Sequence, residues 1–96
     1  MKYIVDIDGT ICRNDGDYPA SIPLHDRIEK INRLYDSGHH ITYWTARGGN
    51  SGIDWSELTA KQLCDWGCKY HQLLMRKPVY DLWIDDKAIN SEEYFK

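Results

Sequence analysis

Two apolar runs rich in strand-forming residues, Lys2 to Ile7 and His40 to Thr45, are separated by a stretch of helical period. That alternation constrains the fold more than any other feature of the chain. Between the runs, Leu24, Ile28, Ile31, Leu34 and Tyr35 recur at three and four residues. Gly38 stands where a helix from Leu24 to Ser37 would stop. A second helix is expected from the capping-box-like Asp54-Trp55-Ser56-Glu57 through Leu58, Leu63 and Trp66 to Gly67. Tyr70 to Met75 and Leu82 to Ile84 are further short apolar runs, and Asn90-Ser91-Glu92-Glu93 reads as the start of a brief terminal helix. Residues 9 to 22 are turn-rich and read as a loop or small hairpin flap. The order β-α-β-α-β-β-(α) predicts an α/β fold of three layers around a mostly parallel sheet.

The chain has 96 residues, enough for one domain (1–96) that buries somewhat over ~60% of its unfolded surface. Its 12 basic and 15 acidic residues give a net charge of -3, and the basic ones are scattered, which argues against a nucleic-acid partner. A small substrate fits this balance better. No apolar run approaches the ~18 residues of a membrane span, and the start MKYIVDID has no signal-peptide pattern, so a cytoplasmic protein with no membrane partner is expected. Cys12, Cys64 and Cys68 are an odd set without an export signal, which argues against a disulfide framework. Cys64 and Cys68, four apart on a helix, lack further soft ligands and read as core or helix-face residues.

In parallel α/β sheets, ligands bind beyond the carboxyl ends of the strands. Polar residues collect at those ends here: Asp6 and Asp8 after the first strand, Thr45 and Arg47 after the second, Lys77 after the third, Asp85 and Asp86 after the fourth. Residues i and i+2 of a strand face the same side, so Asp6 and Asp8 place two like charges together, and a cation or a reaction must justify them. Carboxylates that bind Mg²⁺, together with a hydroxyl and an ammonium that hold phosphate oxygens, suit phosphoryl transfer. A carboxylate is also a possible nucleophile, forming an aspartyl-phosphate.

Asp6-Ile7-Asp8-Gly9-Thr10, Thr45, Lys77 and Asp85-Asp86 resemble, in this order, the four motifs of the haloacid dehalogenase-like phosphohydrolase superfamily. Gly16-Asp17-Tyr18, Tyr43-Trp44-Thr45-Ala46-Arg47 and Trp83-Ile84-Asp85-Asp86-Lys87-Ala88 are similar to small capless phosphatases of capsule and surface-polysaccharide biosynthesis. The resemblance implies a Rossmann-like sheet of order 3-2-1-4, a small flap after the first strand and no cap domain. It implies a Mg²⁺-dependent phosphomonoesterase for a small phosphorylated substrate, such as a phosphosugar. Asp6 would be the nucleophile and Asp8 the general acid and base. Asp6, Asp8 through its carbonyl, and Asp85 would hold Mg²⁺, with Asp86 assisting. Thr45 and Lys77 would bind the phosphate, and Arg47 would contact the substrate. Arg76 precedes Lys77 where the relatives often have glycine. Without a cap the site should be open, which leaves room for a large substrate or for an oligomeric partner that completes it.

Three other readings use the same residues, one of them a non-catalytic subunit that retains the motif. A signalling receiver module also combines an acid pair, a phospho-accepting Asp, a Thr and a Lys, but makes no catalytic use of an acid at plus two. A nucleic-acid end phosphatase of the same superfamily is opposed by the scattered basic residues. Tyr43, Trp44 and Trp83 read as core packing. Trp55 either stacks on a substrate ring or staples the helix start. His25, His39, His40 and His71 lie away from the strand ends and read as surface or satisfied residues. Gly48, Gly49 and Gly52 lack the spacing of a phosphate loop, so ATP use is not indicated.

Overall fold

The computed structural model describes residues 1–96. The chain runs β1 (Lys2–Val5), β2 (Cys12–Arg13), a 3-10 turn (Tyr18–Ala20), β3 (Ile22–Pro23), α1 (His25–Asp36), β4 (His40–Trp44), α2 (Ser56–Asp65), β5 (Gln72–Leu74) and α3 (Ser91–Tyr94). Strands β1, β4 and β5 form a parallel sheet with β4 in the centre, and β2 with β3 makes a two-stranded antiparallel hairpin. No helix is long and apolar enough to cross a membrane.

Both long helices end by the same device. Gly38 takes φ +93 and Gly67 φ +74, the left-handed region where a Cβ is costly, and the next residue donates back into the last turn: His39 N–H to Leu34 C=O and Cys68 N–H to Leu63 C=O. At α3 the Asn90 side chain accepts from the Glu92 N–H. The expected helices are thus present to within a residue or two.

The register pairs Tyr3 with Ile41 and Val5 with Tyr43 and Leu73, so these alternate residues share one face. On that face they meet Ile28 and Ile31 of α1, Leu63 of α2, and Ile7, Ile11 and Cys12 in a single core. Tyr94 and Phe95 at the chain's end pack against the same cluster. On the opposite face Ile4, Gln72 and Leu74 are exposed, and only Thr42 of the central strand is buried. The expected third layer is therefore missing. Its physical reason lies in the connections: both crossover helices, β1 to β4 and β4 to β5, place their apolar residues in the same core, and no helix follows β5 until Ser91.

The fourth strand is a second correction. Leu82 is 75% exposed and Ile84 88%, and neither belongs to a strand. Every residue from Pro78 to Asn90 is exposed, and residues 78–89 make no backbone-to-backbone hydrogen bond. β1 pairs only with β4 and keeps a free outer edge, so the expected order 3-2-1-4 stops at three strands. An apolar run needs a partner to become a strand, and this one has none. Trp83, expected in the core, is 39% exposed and touches Trp44 edge-on, with ring centroids 6.1 Å apart.

One-sided burial sets a contrast between two isoleucines. Ile31→Ala removes side-chain volume from the packed face and should cost about 2–5 kcal/mol in urea unfolding. Ile4→Ala, on the open face, should cost about 0.5 kcal/mol or less.

Candidate functional site

Past Val5 the chain leaves the sheet, and the Thr10 and Ile11 N–H groups both donate to the Ile7 carbonyl. That tight turn holds Asp6 and Asp8 at the carboxyl end of β1. Beyond it lies an open cavity of about 600 Å³, to which Asp6, Asp8, Tyr18, Trp55, Lys77 and Tyr80 contribute walls. Lys77 is positioned by its own N–H, which donates to the Thr45 carbonyl at 3.0 Å. Its Nζ lies 3.6 Å from Asp6 Oδ1 and 5.3 Å from the Tyr80 ring centroid. Arg76, just before it, takes φ +63, a left-handed conformation unusual for a side chain this large.

Asp6 accepts from the Thr10 hydroxyl at 3.3 Å. Burial pushes its carboxyl above the ordinary carboxylate range, while the Lys77 ammonium pulls the other way. Asp8 is held on several sides. Asn14 Nδ2 donates to its Oδ1 at 2.7 Å, and Arg47 pairs with it through Nη2 to Oδ1 at 2.9 Å and Nε to Oδ2 at 3.0 Å.

Arg47 departs from expectation. Its side chain is 0% exposed. Beyond Asp8, it donates from Nη1 to Thr59 Oγ1 at 3.1 Å and to Gln62 Oε1 at 2.6 Å, and its guanidinium lies 4.8 Å from the Tyr18 ring centroid. All of its side-chain nitrogens are engaged inside the protein, and it stands in the cavity wall behind Asp8. Thr45 is set back from the cavity: its side chain is buried, does not line it, and accepts from the Arg47 N–H at 3.2 Å, which leaves the hydroxyl its own proton to donate.

Asp85 and Asp86 stand apart from Asp6 and Asp8. Both are exposed, neither lines the cavity, and Asp85 accepts from the Lys87 N–H at 2.8 Å in a local turn. That bond, with one from the Trp83 indole, holds the Asp85 carboxyl below its ordinary range. Asp6 and Asp8 offer the hard oxygen donors that Mg²⁺ prefers. Two carboxylates do not complete a site, however, and nowhere in the chain do three metal-ligating side chains converge. Of the expected ligands, Asp6 and Asp8 stand together and Asp85 and Asp86 stand apart.

Trp55 flanks the start of α2 and lines the cavity, edge-on to Tyr18 at 5.3 Å between centroids. Its position depends on Gly48, where an added Cβ would collide with the Ile53 carbonyl oxygen. The four histidines do not line the cavity. Cys64 is exposed, whereas burial pushes the Cys12 thiol up to about 11 and the Cys68 thiol up to about 12. Asn14, Ser21, Thr59 and Gln62 were not foreseen in the site. The one available signal was in α2, where Thr59 and Gln62 put polar side chains on the turn that buries Leu63.

No protein-family model matches the chain, and no curated protein matches it. Among solved structures it is similar to a structural-genomics target from Vibrio cholerae, at 29% identity and a TM-score of 0.86. The match covers 98% of this chain and 86% of that one. It shows that the fold is shared.

The raised ionisation of Asp6 has a stability consequence. Well below its ordinary value the group is neutral whether folded or not. As pH rises through the raised folded value, charging it costs stability. Asp6→Asn should therefore match wild type near pH 3 and be the more stable protein at pH 7, read as Tm by calorimetry.

Proposed function

We propose that the chain is a phosphomonoesterase that works through an aspartyl-phosphate on Asp6, most naturally with a small phosphorylated substrate. The observation that carries this reading is the placement of two carboxylates and one ammonium at the carboxyl end of β1, with Lys77 3.6 Å from Asp6 over an open cavity. An Asp6 oxygen attacks phosphorus as the bond to the leaving oxygen breaks, and Asp8 gives that oxygen its proton. Water then attacks the phosphorus. Asp8 takes the water's proton, the bond from phosphorus to Asp6 breaks, and inorganic phosphate leaves. Lys77 offsets negative charge on the phosphoryl oxygens in both steps.

The leaving group fits the class of a phosphosugar or related polysaccharide precursor. Tyr18, Trp55 and Tyr80 offer aromatic faces, and Asn14, Asn50 and Ser51 offer neutral polar ones. Lys77 is the one cation free to meet an anion there, which suits a single phosphate. A cytoplasmic setting and a second copy beside the open site both accord with this reading.

Mg²⁺ belongs to the proposal through a change in the strap of residues 78–89. Leu82 to Ile84 would pair with the free edge of β1 and complete the order 3-2-1-4, and the hairpin of β2 and β3 would serve as the flap. Asp85 would then lie beside Asp6 and Asp8, with Asp86 next to it, and the ion would supply charge neutralisation at the phosphate. Support comes from the unpaired edge and from an apolar run whose Leu82 and Ile84 are left in solvent.

Two measurements test these statements. With Mg²⁺ the protein should hydrolyse p-nitrophenyl phosphate, and Asp6→Asn should lower kcat/KM by at least about 10³-fold. An Asp6→Asn variant as active as wild type rules out the nucleophile, and a long-lived phosphoprotein in wild type favours the receiver reading. Separately, adding Mg²⁺ should slow amide exchange at residues 82–84, and EDTA should reverse this. Exchange at those amides that is indifferent to Mg²⁺ counts against the strap's closure.

A further inference from the structure

Asp8 has two carboxylate oxygens in unequal surroundings. Oδ1 accepts from Asn14 Nδ2 at 2.7 Å and Arg47 Nη2 at 2.9 Å, with Arg47 Nε at 3.3 Å and the Cys12 thiol at 3.5 Å as longer partners. Oδ2 accepts from Arg47 Nε alone, at 3.0 Å. A carboxylate oxygen has about two lone pairs, so Oδ1 is saturated and Oδ2 keeps one free. We propose that Arg47 is a positioning residue that fixes which oxygen of Asp8 handles the proton, and that Thr59 and Gln62 of α2 act on the reaction through it. This inference rests on the phosphomonoesterase reading.

The geometry behind Arg47 supports a fixed role. The guanidinium is planar, and its Nε and Nη2 form the fork that grips Asp8. Nη1, on the far side, is held by Thr59 and Gln62, so rotation of the plane breaks bonds at both ends. Gln62 is itself tied, its Nε2 donating to the Tyr18 carbonyl at 2.7 Å. Asn14 Nδ2 also donates to Ser21 Oγ at 3.0 Å, which links the hairpin to the same carboxylate. The general acid is thereby braced from α2 and from the hairpin, with Oδ2 as the oxygen left to give its proton to the leaving group. Lysine keeps the charge but presents no fork, so it cannot hold both oxygens in this plane.

The test uses leaving groups of different need. p-Nitrophenolate departs with little protonation, whereas an alkoxide needs the acid. kcat/KM reports the steps through phosphoenzyme formation, so it isolates the acid role from later hydrolysis. For Arg47→Lys, kcat/KM on glycerol 2-phosphate should fall about 10²-fold, and on p-nitrophenyl phosphate by less than about 10-fold. Thr59→Val, which leaves the ion pair in place, should show the same preference more weakly. Equal losses on the two esters in both variants would show a merely structural role and overturn the inference while the phosphatase reading stands. If Arg47→Lys does not fold, as read by circular dichroism, Thr59→Val decides by the same comparison. A wild type inactive on both esters overturns the phosphatase reading and this inference with it.

Discussion

The Arg47 guanidinium is a full positive charge with no solvent contact, and burying such a group is tolerable only when its donors and its charge are matched. Asp8 matches the charge, while Thr59 and Gln62 take the remaining side. The pair therefore ties together the turn after β1, the loop after β4, the hairpin and α2. Removing Asp8 would strand the Arg47 charge in a place water does not reach, so the functional carboxylate and the packing of the elements around it are one arrangement.

A second constraint follows from connectivity. Both crossover helices bring their apolar residues to one face of the sheet, and none covers the other. Ile4 and Leu74 remain in solvent there, and the outer edge of β1 stays unpaired. The strap from Pro78 to Asn90 is apolar enough to use that edge, with Val79, Leu82, Ile84 and Ile89 all exposed. Under the proposed function the unfinished sheet and the incomplete acid cluster have a common remedy.

The helices were legible because their signals are local. Period, caps and stop glycines act within a few residues, and Gly38, Gly67 and Asn90 behave as their sequence neighbourhoods imply. The acid pair was legible for the same reason, since two carboxylates two residues apart at a strand end share a side whatever else the chain does. Lys77 reaches Asp6 because the chain leaving β5 crosses the carboxyl end of β4, where the Lys77 N–H donates to the Thr45 carbonyl beside β1. The strand at Leu82 to Ile84 was misread because an apolar run reports a capacity to pair, not the presence of a partner. Arg47 stands where a substrate contact would, but its donors are taken up within the protein by Asp8, Thr59 and Gln62, partners that lie far from it in sequence.

The sequence by itself determined an α/β chain of alternating strands and helices, with Asp6, Asp8 and Lys77 at the mouths of its strands. Those features depend on residue spacing, which the chain carries along its own length. Only the tertiary structure decided that the sheet is covered on one face, that Asp85 and Asp86 stand apart from the other acids, and that Arg47 turns inward to Asp8. These outcomes depend on which polar groups find partners across distant segments, because a buried charge is fixed by whatever can pair with it and an exposed strand by whatever edge it can reach.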